Sequence, residues 1–532
     1  MAERIVLYDT TLRDGMQREG MSLAVGEQLA IALRLAELGV DMIEAGFPSS
    51  NPKDSELFDL LEREDLGATR VAAFGMTRRR DLPADEDPGL RTLAGCFAPV
   101  ATIVGKTWDL HLEKVLRVGR EENLRLIEES VAFLVARGKT VVYDAEHFFD
   151  AHRAHPGYAL DCLRAAAAGG AHWITPCDTN GATLPAEVAR IVREVRAALP
   201  DIPLGIHTHN DAECAVANSL AAVDEGARMV QGTVNGYGER CGNANLVSIA
   251  PTLALKMGYE VLAPGRLAEL TPFSHYVAET ANLAPDPWAP YVGRNAFGHK
   301  GGLHVAGILA EPSTFEHVDP ELVGNERHVL VSELSGRGTI IAKARELGVD
   351  LEGDPARVSG ILARLKELEH HGYHFEVADG SFELLLERET GVHEPLFVLE
   401  SFRVITEKRA DGRVETEATV KLVHDGERLV ATAEGNGPVH ALDQALRLAL
   451  EPRVPELGAI ELVNFKVRIL DETKGTEATT RVLIDSGDHS GATWGAVGVS
   501  ENVIEASWEA LVDSLEHGVR RATVVRAPAA GA

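Results

Sequence analysis

The densest ligand signal in the chain is His207-Thr208-His209-Asn210-Asp211. Residues two apart in a strand face the same side, so both imidazoles can address one point. Neutral imidazole is a common ligand for divalent transition ions. The alternative for either ring is a hydrogen-bonded core histidine. A second charged cluster, Asp9-Thr10-Thr11-Leu12-Arg13-Asp14-Gly15-Met16-Gln17, sets Arg13 and Asp14 side by side, with Glu44 in the next expected strand. A carboxylate such as Asp14 could complete a metal shell with the two histidines and leave positions open for water or substrate. The adjacent Arg13 suits a substrate carboxylate or a developing oxyanion. An Arg–Asp pair bracing a loop is the competing reading.

Three weaker elements add to these. Gly236-Tyr237-Gly238-Glu239-Arg240-Cys241-Gly242-Asn243-Ala244 has three glycines that allow backbone amides to approach a ligand, and Asn243 could offer an oxygen to a metal or orient one of its ligands. A turn that only closes the fold is the alternative. In Tyr143-Asp144-Ala145-Glu146-His147-Phe148 and Asp178-Thr179-Asn180-Gly181, Glu146 and Thr179 stand where strands should end. A carboxylate and a hydroxyl there suit acid–base work and substrate hydrogen bonding. Gly298-His299-Lys300-Gly301-Gly302-Leu303-His304 supplies two further histidines.

These residues need a scaffold that brings strand ends together. Short β-rich runs over 5–9, 42–47, 71–75, 99–105, 140–146, 173–178, 204–209 and 229–235 alternate with amphipathic helical stretches, among them 25–38, 113–135 and 212–225. That alternation means parallel βαβ units, and eight strands in roughly 250 residues is the arithmetic of a TIM (β/α)8 barrel. A doubly wound sheet is the runner-up, without the glycine fingerprint after an early strand. Proline punctuation over 284–290 ends the pattern, a helical region follows over 340–373, and the chain is strand-rich from about 395. There Phe402-Arg403-Val404, Glu417-Ala418-Thr419 and a helix over 439–450 are echoed by Phe465-Lys466-Val467, Glu477-Ala478-Thr479 and a helix over 503–515. Each copy reads as three strands and a helix, an internal duplication in which neither half alone buries enough surface. The expected division is a barrel over 1–270, linker subdomains over 271–392, a carboxyl-terminal α+β domain over 393–525 and a disordered tail over 526–532.

Composition bounds the partners. The chain has 532 residues, a formal charge of −29, 45% hydrophobic and 25% charged residues, values of a multidomain globular protein. A surface this acidic argues against nucleic acid. Five scattered cysteines without a C-x-x-C pair suggest reduced thiols and a cytoplasmic setting. Neither a targeting peptide nor an apolar run of membrane-spanning length is expected.

Together, D-T-T-L-R-D-G-x-Q, H-x-H-N-D, G-x-G-E-R-x-G-N-A and the later G-G-x-H resemble the acyl-CoA-condensing branch of the metal-dependent pyruvate-lyase-like barrels, the 2-isopropylmalate, homocitrate and citramalate synthases. The resemblance extends to their amino-acid-sensing regulatory domain through Gly435-Asn436-Gly437-Pro438-Val439 and Trp494-Gly495-Ala496-Val497-Gly498-Val499-Ser500. Ser50-Asn51-Pro52-Lys53-Asp54, Gly105-Lys106-Thr107-Trp108-Asp109-Leu110-His111 and Asp144-Ala145-Glu146-His147-Phe148-Phe149-Asp150 look most like the citramalate-forming members. Phe47-Pro48-Ser49 departs from the W-P-G-like stretch expected there.

The resemblance implies a condensation of acetyl-CoA with pyruvate. Asp14, His207, His209 and Asn243 are then expected to hold a divalent ion (Mg2+, Mn2+ or Zn2+), with Arg13 at the alkoxide. Gln17, Glu44, Tyr143 and Thr179 are expected on the substrate, and Glu146 and His304 in base work. His304 lies beyond the barrel, which points to a homodimer or larger homo-oligomer with a shared site, and isoleucine is the expected effector. The rivals are 2-isopropylmalate synthase, which takes 2-oxoisovalerate, an acyl-CoA-cleaving lyase of the same superfamily, and a non-catalytic amino-acid-binding regulator.

Overall fold

The computed structural model describes residues 3–48, 50–332, 335–346, 349–351, 353–489 and 491–526. Ser49 and the expected tail beyond Arg526 lie outside them. The chain divides into two compact units, one running to Phe297 and taking back His317–Arg327, the other holding Gly298–Glu316 and the chain from His328 onward.

The first unit is a closed barrel of eight parallel strands: β1 Val6–Asp9, β2 Met42–Gly46, β3 Arg70–Met76, β4 Val100–Lys106, β5 Thr140–Glu146, β6 Trp173–Asp178, β7 Gly205–Thr208 and β8 Met229–Gly232. β1 closes the cylinder on β8, with Val6 opposite Met229 and Asp9 opposite Gly232. Strand alternation sorts the side chains. Tyr8, Met42, Ala72, Val100, Val142 and Met229 form an apolar plug inside the barrel, with Val6 and Trp173 against it. The residues between them, such as Leu7, Ile43, Val71, Ala101, Val141 and Ile206, pack outward in the larger core shared with the helices. Two residues further along the inward rows the interior becomes polar: Glu44, Thr102, Asp144, Thr175, His207 and Gln231 are all buried. The inner side of the barrel is thus apolar at one level and polar at the next, toward the strand ends where barrel chemistry sits.

The helical pattern over 113–135 breaks in two. A π turn over Leu112–Leu116 ends at Arg117, whose φ is 56°, and the helix Arg120–Val135 starts afresh from Gly119. Gly119 is the N-cap, and this pair of backbone conformations interrupts the run. The pattern over 340–373 likewise resolves into Arg337–Glu346 and Pro355–His370, the second capped by Asp354 with proline in its first turn.

In the second unit, β9 Val398–Lys408, β10 Val414–His424 and β11 Glu427–Gly435 form an antiparallel sheet followed by the helix Pro438–Leu450. β12 Ile460–Ile469, β13 Thr480–Asp488 and β14 Thr493–Ser500 repeat it, followed by the helix Val503–Arg526. Phe402 pairs with Val420 in the first copy and Phe465 with Ile484 in the second, and each first strand carries an irregularity at the same place, Leu399/Ser401 and Leu462/Asn464. A shared bulge in both copies supports duplication more strongly than the short motifs do. One motif match is offset: Glu417-Ala418-Thr419 lies within β10, whereas Glu477-Ala478-Thr479 precedes β13. Leu422, Leu442 and Leu446 of one copy and Val482, Ile484 and Leu511 of the other share a single core.

All five cysteines are free thiols, and among the described residues no helix is long and apolar enough to cross a membrane. Among the close approaches in the barrel wall, a Cβ added at Gly105 on β4 would stand 2.6 Å from the Tyr143 hydroxyl and 2.7 Å from its ring. Gly105→Ala should therefore lower unfolding stability by about 1–3 kcal/mol through overpacking, read from urea denaturation. Wild-type stability would mean that the buried Tyr143 ring yields freely.

Candidate metal centre and substrate cavity

His207 lies on the inward row of β7, and His209, just past the strand, keeps its parity. Asp14 comes from the turn after β1. That turn is pinned twice: the Thr11 amide and hydroxyl each donate to the Asp9 carboxylate at 2.9 Å, and the Val234 amide, beyond β8, donates to Thr11 Oγ1 at 2.9 Å. The result places Asp14 Oδ2 3.4 Å from His207 Nε2 and 3.8 Å from His209 Nε2, with the two Nε2 atoms 3.2 Å apart. All three side chains are buried.

Hydrogen bonds behind the triad set its tautomer. Gln231 Nε2 donates to Asp144 Oδ1 at 2.8 Å, so Gln231 Oε1 faces His207 Nδ1, 3.0 Å away, and accepts its proton. His207 Nε2 is thereby turned to His209 and Asp14, and although burial opposes it, the Asp14 carboxylate raises the imidazole above its ordinary value. Burial, reinforced by Glu44, pushes the Asp144 carboxyl up to about 6, so at neutral pH it is the anionic acceptor this arrangement needs. Burial and the neighbouring His207 push the His209 imidazole down to about 3, leaving it neutral. Burial opposes ionisation of Asp14, but Arg13 and the two imidazoles outweigh it and hold the carboxyl well below the usual range.

Arg13 is clamped beside the triad. Its Nε donates to Glu44 Oε2 at 2.5 Å, its guanidinium lies 4.0 Å over the Phe74 ring, and its Nη1 is 3.7 Å from Asp14. The Tyr8 hydroxyl donates to the other Glu44 oxygen at 2.9 Å. Arg13, Asp14, His207 and His209 open onto one cavity of about 290 Å³, whose wall also includes Gln17, Glu146 and Thr179. Thr179 Oγ1 accepts the His147 amide at 2.9 Å, so its own proton is free to be donated. Glu146 forms an ion pair with Lys106. Asn243 joins His209 in a β-bridge, and its Nδ2 donates to the Tyr237 carbonyl at 3.2 Å. Its Oδ1 is left buried without a partner. The loop depends on Gly242, where φ is +93° and a Cβ would stand 2.0 Å from the Gly236 carbonyl oxygen.

Two expected substrate contacts are placed elsewhere. Tyr143 belongs to the outward row of β5, fully buried in the helix-facing core. Strand parity explains it, because Glu146 and Asp144 share the inward row and an odd offset from them cannot. Glu44 is fully buried, and both its oxygens are taken by Arg13 and Tyr8, so it holds the arginine rather than a substrate. His304 lies in the second unit, exposed on the helix Gly302–Ala310, with its ring stacked on Phe315 at 4.3 Å. Asp144 and Lys106 stand in stretches quoted from the sequence but carry no expected role there, and Gln231 stands in none. The signal available for the first two is parity: Asp144 lies two before Glu146, and Lys106 pairs with Glu146 across β4 and β5.

The donor set fits a divalent cation: a carboxylate held anionic, two imidazoles with Nε2 atoms turned to it, and an orphaned amide oxygen on the residue bridged to His209. Ligands and a clamped arginine at the carboxyl ends of the strands define a TIM-barrel enzyme, and residues 4–271 match the HMGL-like family. Residues 291–372 match the homocitrate synthase post-HMGL domain-like family, and 376–519 the LeuA allosteric (dimerisation) domain. The chain is 50% identical over 518 residues to the (R)-citramalate synthase of Geobacter sulfurreducens, covering 97% of this chain and 98% of that one. It is 50% identical over 523 residues to the (R)-citramalate synthase of Streptomyces coelicolor, covering 98% of each chain. A probable 2-isopropylmalate synthase of Methanopyrus kandleri is 34% identical over 523 residues, covering 98% of this chain and 99% of that one. The chain belongs to the (R)-citramalate synthase family and is an enzyme of acyltransferase type.

Gln231→Ala removes the group that fixes the His207 tautomer while leaving every ligand in place. Affinity for Mn2+, measured by titration of the metal-stripped protein, should fall roughly 10–100-fold. An unchanged affinity would mean that His207 needs no orientation from behind.

Proposed function

We propose that the protein condenses acetyl-CoA with pyruvate, with water, to (R)-citramalate and free CoA. The observation that carries this reading is the clamped Arg13 guanidinium beside the Asp14–His207–His209 triad on one cavity, in a chain whose relatives at 50% identity are (R)-citramalate synthases. In the reaction the thioester methyl loses a proton, its carbon bonds to the keto carbon, and the keto oxygen ends as a hydroxyl. Water then cleaves the thioester to a carboxylate and the CoA thiol.

Asp14, His207 and His209, with Asn243 through its amide oxygen, would hold a divalent ion, Mg2+, Mn2+ or Zn2+. When bound, such an ion supplies Lewis-acid polarisation of a carbonyl. Arg13 meets the negative charge that develops on the keto oxygen, and because Glu44 and Phe74 hold it in place beforehand, little reorganisation is needed. Thr179 donates to the pyruvate carboxylate, and Gln17 stands on the same cavity wall. Phe74, Met76 and Val104 supply the apolar wall that the ketoacid methyl would meet. Glu146 and His304 take the base work, with His304 furnished by a second subunit.

The match to a LeuA dimerisation domain supports a homodimer or larger homo-oligomer. The same domain would make isoleucine, the end product of a threonine-independent route through citramalate, a feedback inhibitor. We assign catalysis to 1–270, the His304 segment and linker to 271–392 and regulation to 393–525, in a cytoplasmic enzyme.

A ketoacid panel with acetyl-CoA and thiol-release detection tests the substrate. Pyruvate should exceed 2-oxoisovalerate in kcat/KM by at least 100-fold. The reverse order would make the enzyme a 2-isopropylmalate synthase, and release with neither would overturn condensation altogether. Shared sites have a separate test. Asp14→Ala and His304→Ala proteins, each inactive alone, should regain part of the wild-type activity after subunit exchange, and failure to regain any after verified exchange would place His304 in its own subunit's site.

A further inference from the structure

Condensation puts negative charge on two oxygens in turn. Loss of a proton from the thioester methyl leaves charge on the thioester carbonyl oxygen, and attack on the ketoacid moves it to the keto oxygen. Arg13 meets the second. Among the described residues, three cationic side chains line the cavity, Arg13, Lys106 and Arg240. Arg240 is committed elsewhere: its Nε and Nη2 donate to the two Asp211 oxygens at 2.7 and 3.0 Å, and Nη2 also reaches the Thr179 carbonyl at 2.8 Å. Lys106 is the cation whose part in the reaction is open.

Lys106 ends β4, two residues beyond Val104 on the same wall, and stands opposite Glu146, the last residue of β5. The main chain fixes both. Asn123 Nδ2 donates to the Lys106 carbonyl at 2.8 Å, and Thr107 Oγ1 donates to the Glu146 carbonyl at 2.6 Å. Directly after Glu146 the chain turns at His147, whose φ is 56° and whose amide is the one on Thr179. The two side chains are 16% and 21% exposed and face each other as an ion pair. That pairing is Coulombic and not directional, because Glu146 Oε2 has no hydrogen-bond donor aligned on it. An ammonium carries three protons, and this one has protons to turn toward a substrate oxygen. Its position relative to the base decides which oxygen. The acidic methyl and the thioester oxygen are bonded to one carbon, so a cation beside the carboxylate that takes the methyl proton is also beside that oxygen. Fixed in a largely buried wall, it stabilises an oxyanion more than a solvated cation does.

We propose that Lys106 is a catalytic residue of the condensation, its ammonium donating to the thioester carbonyl oxygen and holding the enolate charge that forms there. The proton leaves the methyl for the Glu146 carboxylate, the C–H electron pair becomes the carbon–carbon double bond, and the carbonyl π pair moves to the oxygen. Lys106 neither gives nor takes a proton. As the enolate carbon bonds to the keto carbon, the thioester carbonyl re-forms and the charge passes to the keto oxygen beside Arg13. The assignment rests on the condensation reading of the function.

The test uses the full-length enzyme with acetyl-CoA and with acetyldithio-CoA, whose thiocarbonyl sulfur is a poor hydrogen-bond acceptor. Lys106→Met keeps the reach of the side chain and removes its charge. With acetyl-CoA it should lower kcat about 100–1,000-fold, the usual loss for one oxyanion donor, and Lys106→Gln should behave alike. The KM for pyruvate and the Mn2+ affinity of the metal-stripped protein should move less than about twofold, which also reports that the fold is intact. Deuteration of the acetyl methyl should slow the variant more than wild type, since deprotonation has become limiting. With acetyldithio-CoA the loss should shrink below about tenfold, and Lys106→Arg should restore part of the activity on acetyl-CoA. Variants as active as wild type, or an equal loss with both carriers, overturn the assignment. A raised pyruvate KM at unchanged kcat overturns it too, and puts Lys106 on the ketoacid. Each of these results leaves condensation standing, whereas a wild-type enzyme that releases no thiol with any ketoacid overturns both.

Discussion

Closure of β1 onto β8 is the constraint on which the site depends. The ladder from Val6–Met229 to Asp9–Gly232 brings the turn after the first strand against the loop after the last. The Val234 amide bonded to Thr11 Oγ1 then locks the two loops together. Only with that seam shut does Asp14 reach the imidazoles of β7, which lies one strand beyond β8 in the cylinder. A carboxylate and two histidines separated by nearly two hundred positions thus meet through the pairing of β1 with β8 and of β8 with β7, where His207 stands opposite Gln231.

The polar interior above the apolar plug is a second consequence of the closed cylinder. Burying Arg13, Glu44, Asp144 and Gln231 is costly in isolation, and removing one partner of such a pair typically costs about 3–5 kcal/mol. Here each member meets another: Tyr8 and Arg13 on Glu44, Thr102 on Tyr8, Gln231 on Asp144, His207 on Gln231. Networks of this kind, when satisfied, hold their members to one geometry. The arginine and the metal-facing lone pairs are therefore oriented by groups that need never touch a substrate.

The second unit solves a different problem with a simpler device. Each three-stranded sheet with one helix has a single apolar face, and the duplicated halves cover it by contributing to one core. The matched irregularities in β9 and β12 show that what was repeated is the backbone course of the strand, down to the place where its pairing slips. Short motif matches track this poorly, as the offset Glu477-Ala478-Thr479 shows, because one shifted residue in a strand reverses which face a side chain occupies.

Periodicity made the barrel legible in the linear chain: β5 and β6 fall on the expected 140–146 and 173–178, because buried parallel strands are short apolar runs between helical patterns. Spacing alone also put His207 and His209 on one side of a strand, and residue type named Asp14 and Arg13 as their companions. Reach and orientation were not legible. Glu44 reads as a carboxylate at the mouth but is bound beneath Arg13, Tyr143 faces the helices, and Asp144 and Gln231 become important only through each other. The physical reason is that strand propensity and side-chain alternation are local properties of the chain. Which inward row meets which across the cylinder is set by register and closure, and these exist only once all eight strands are paired.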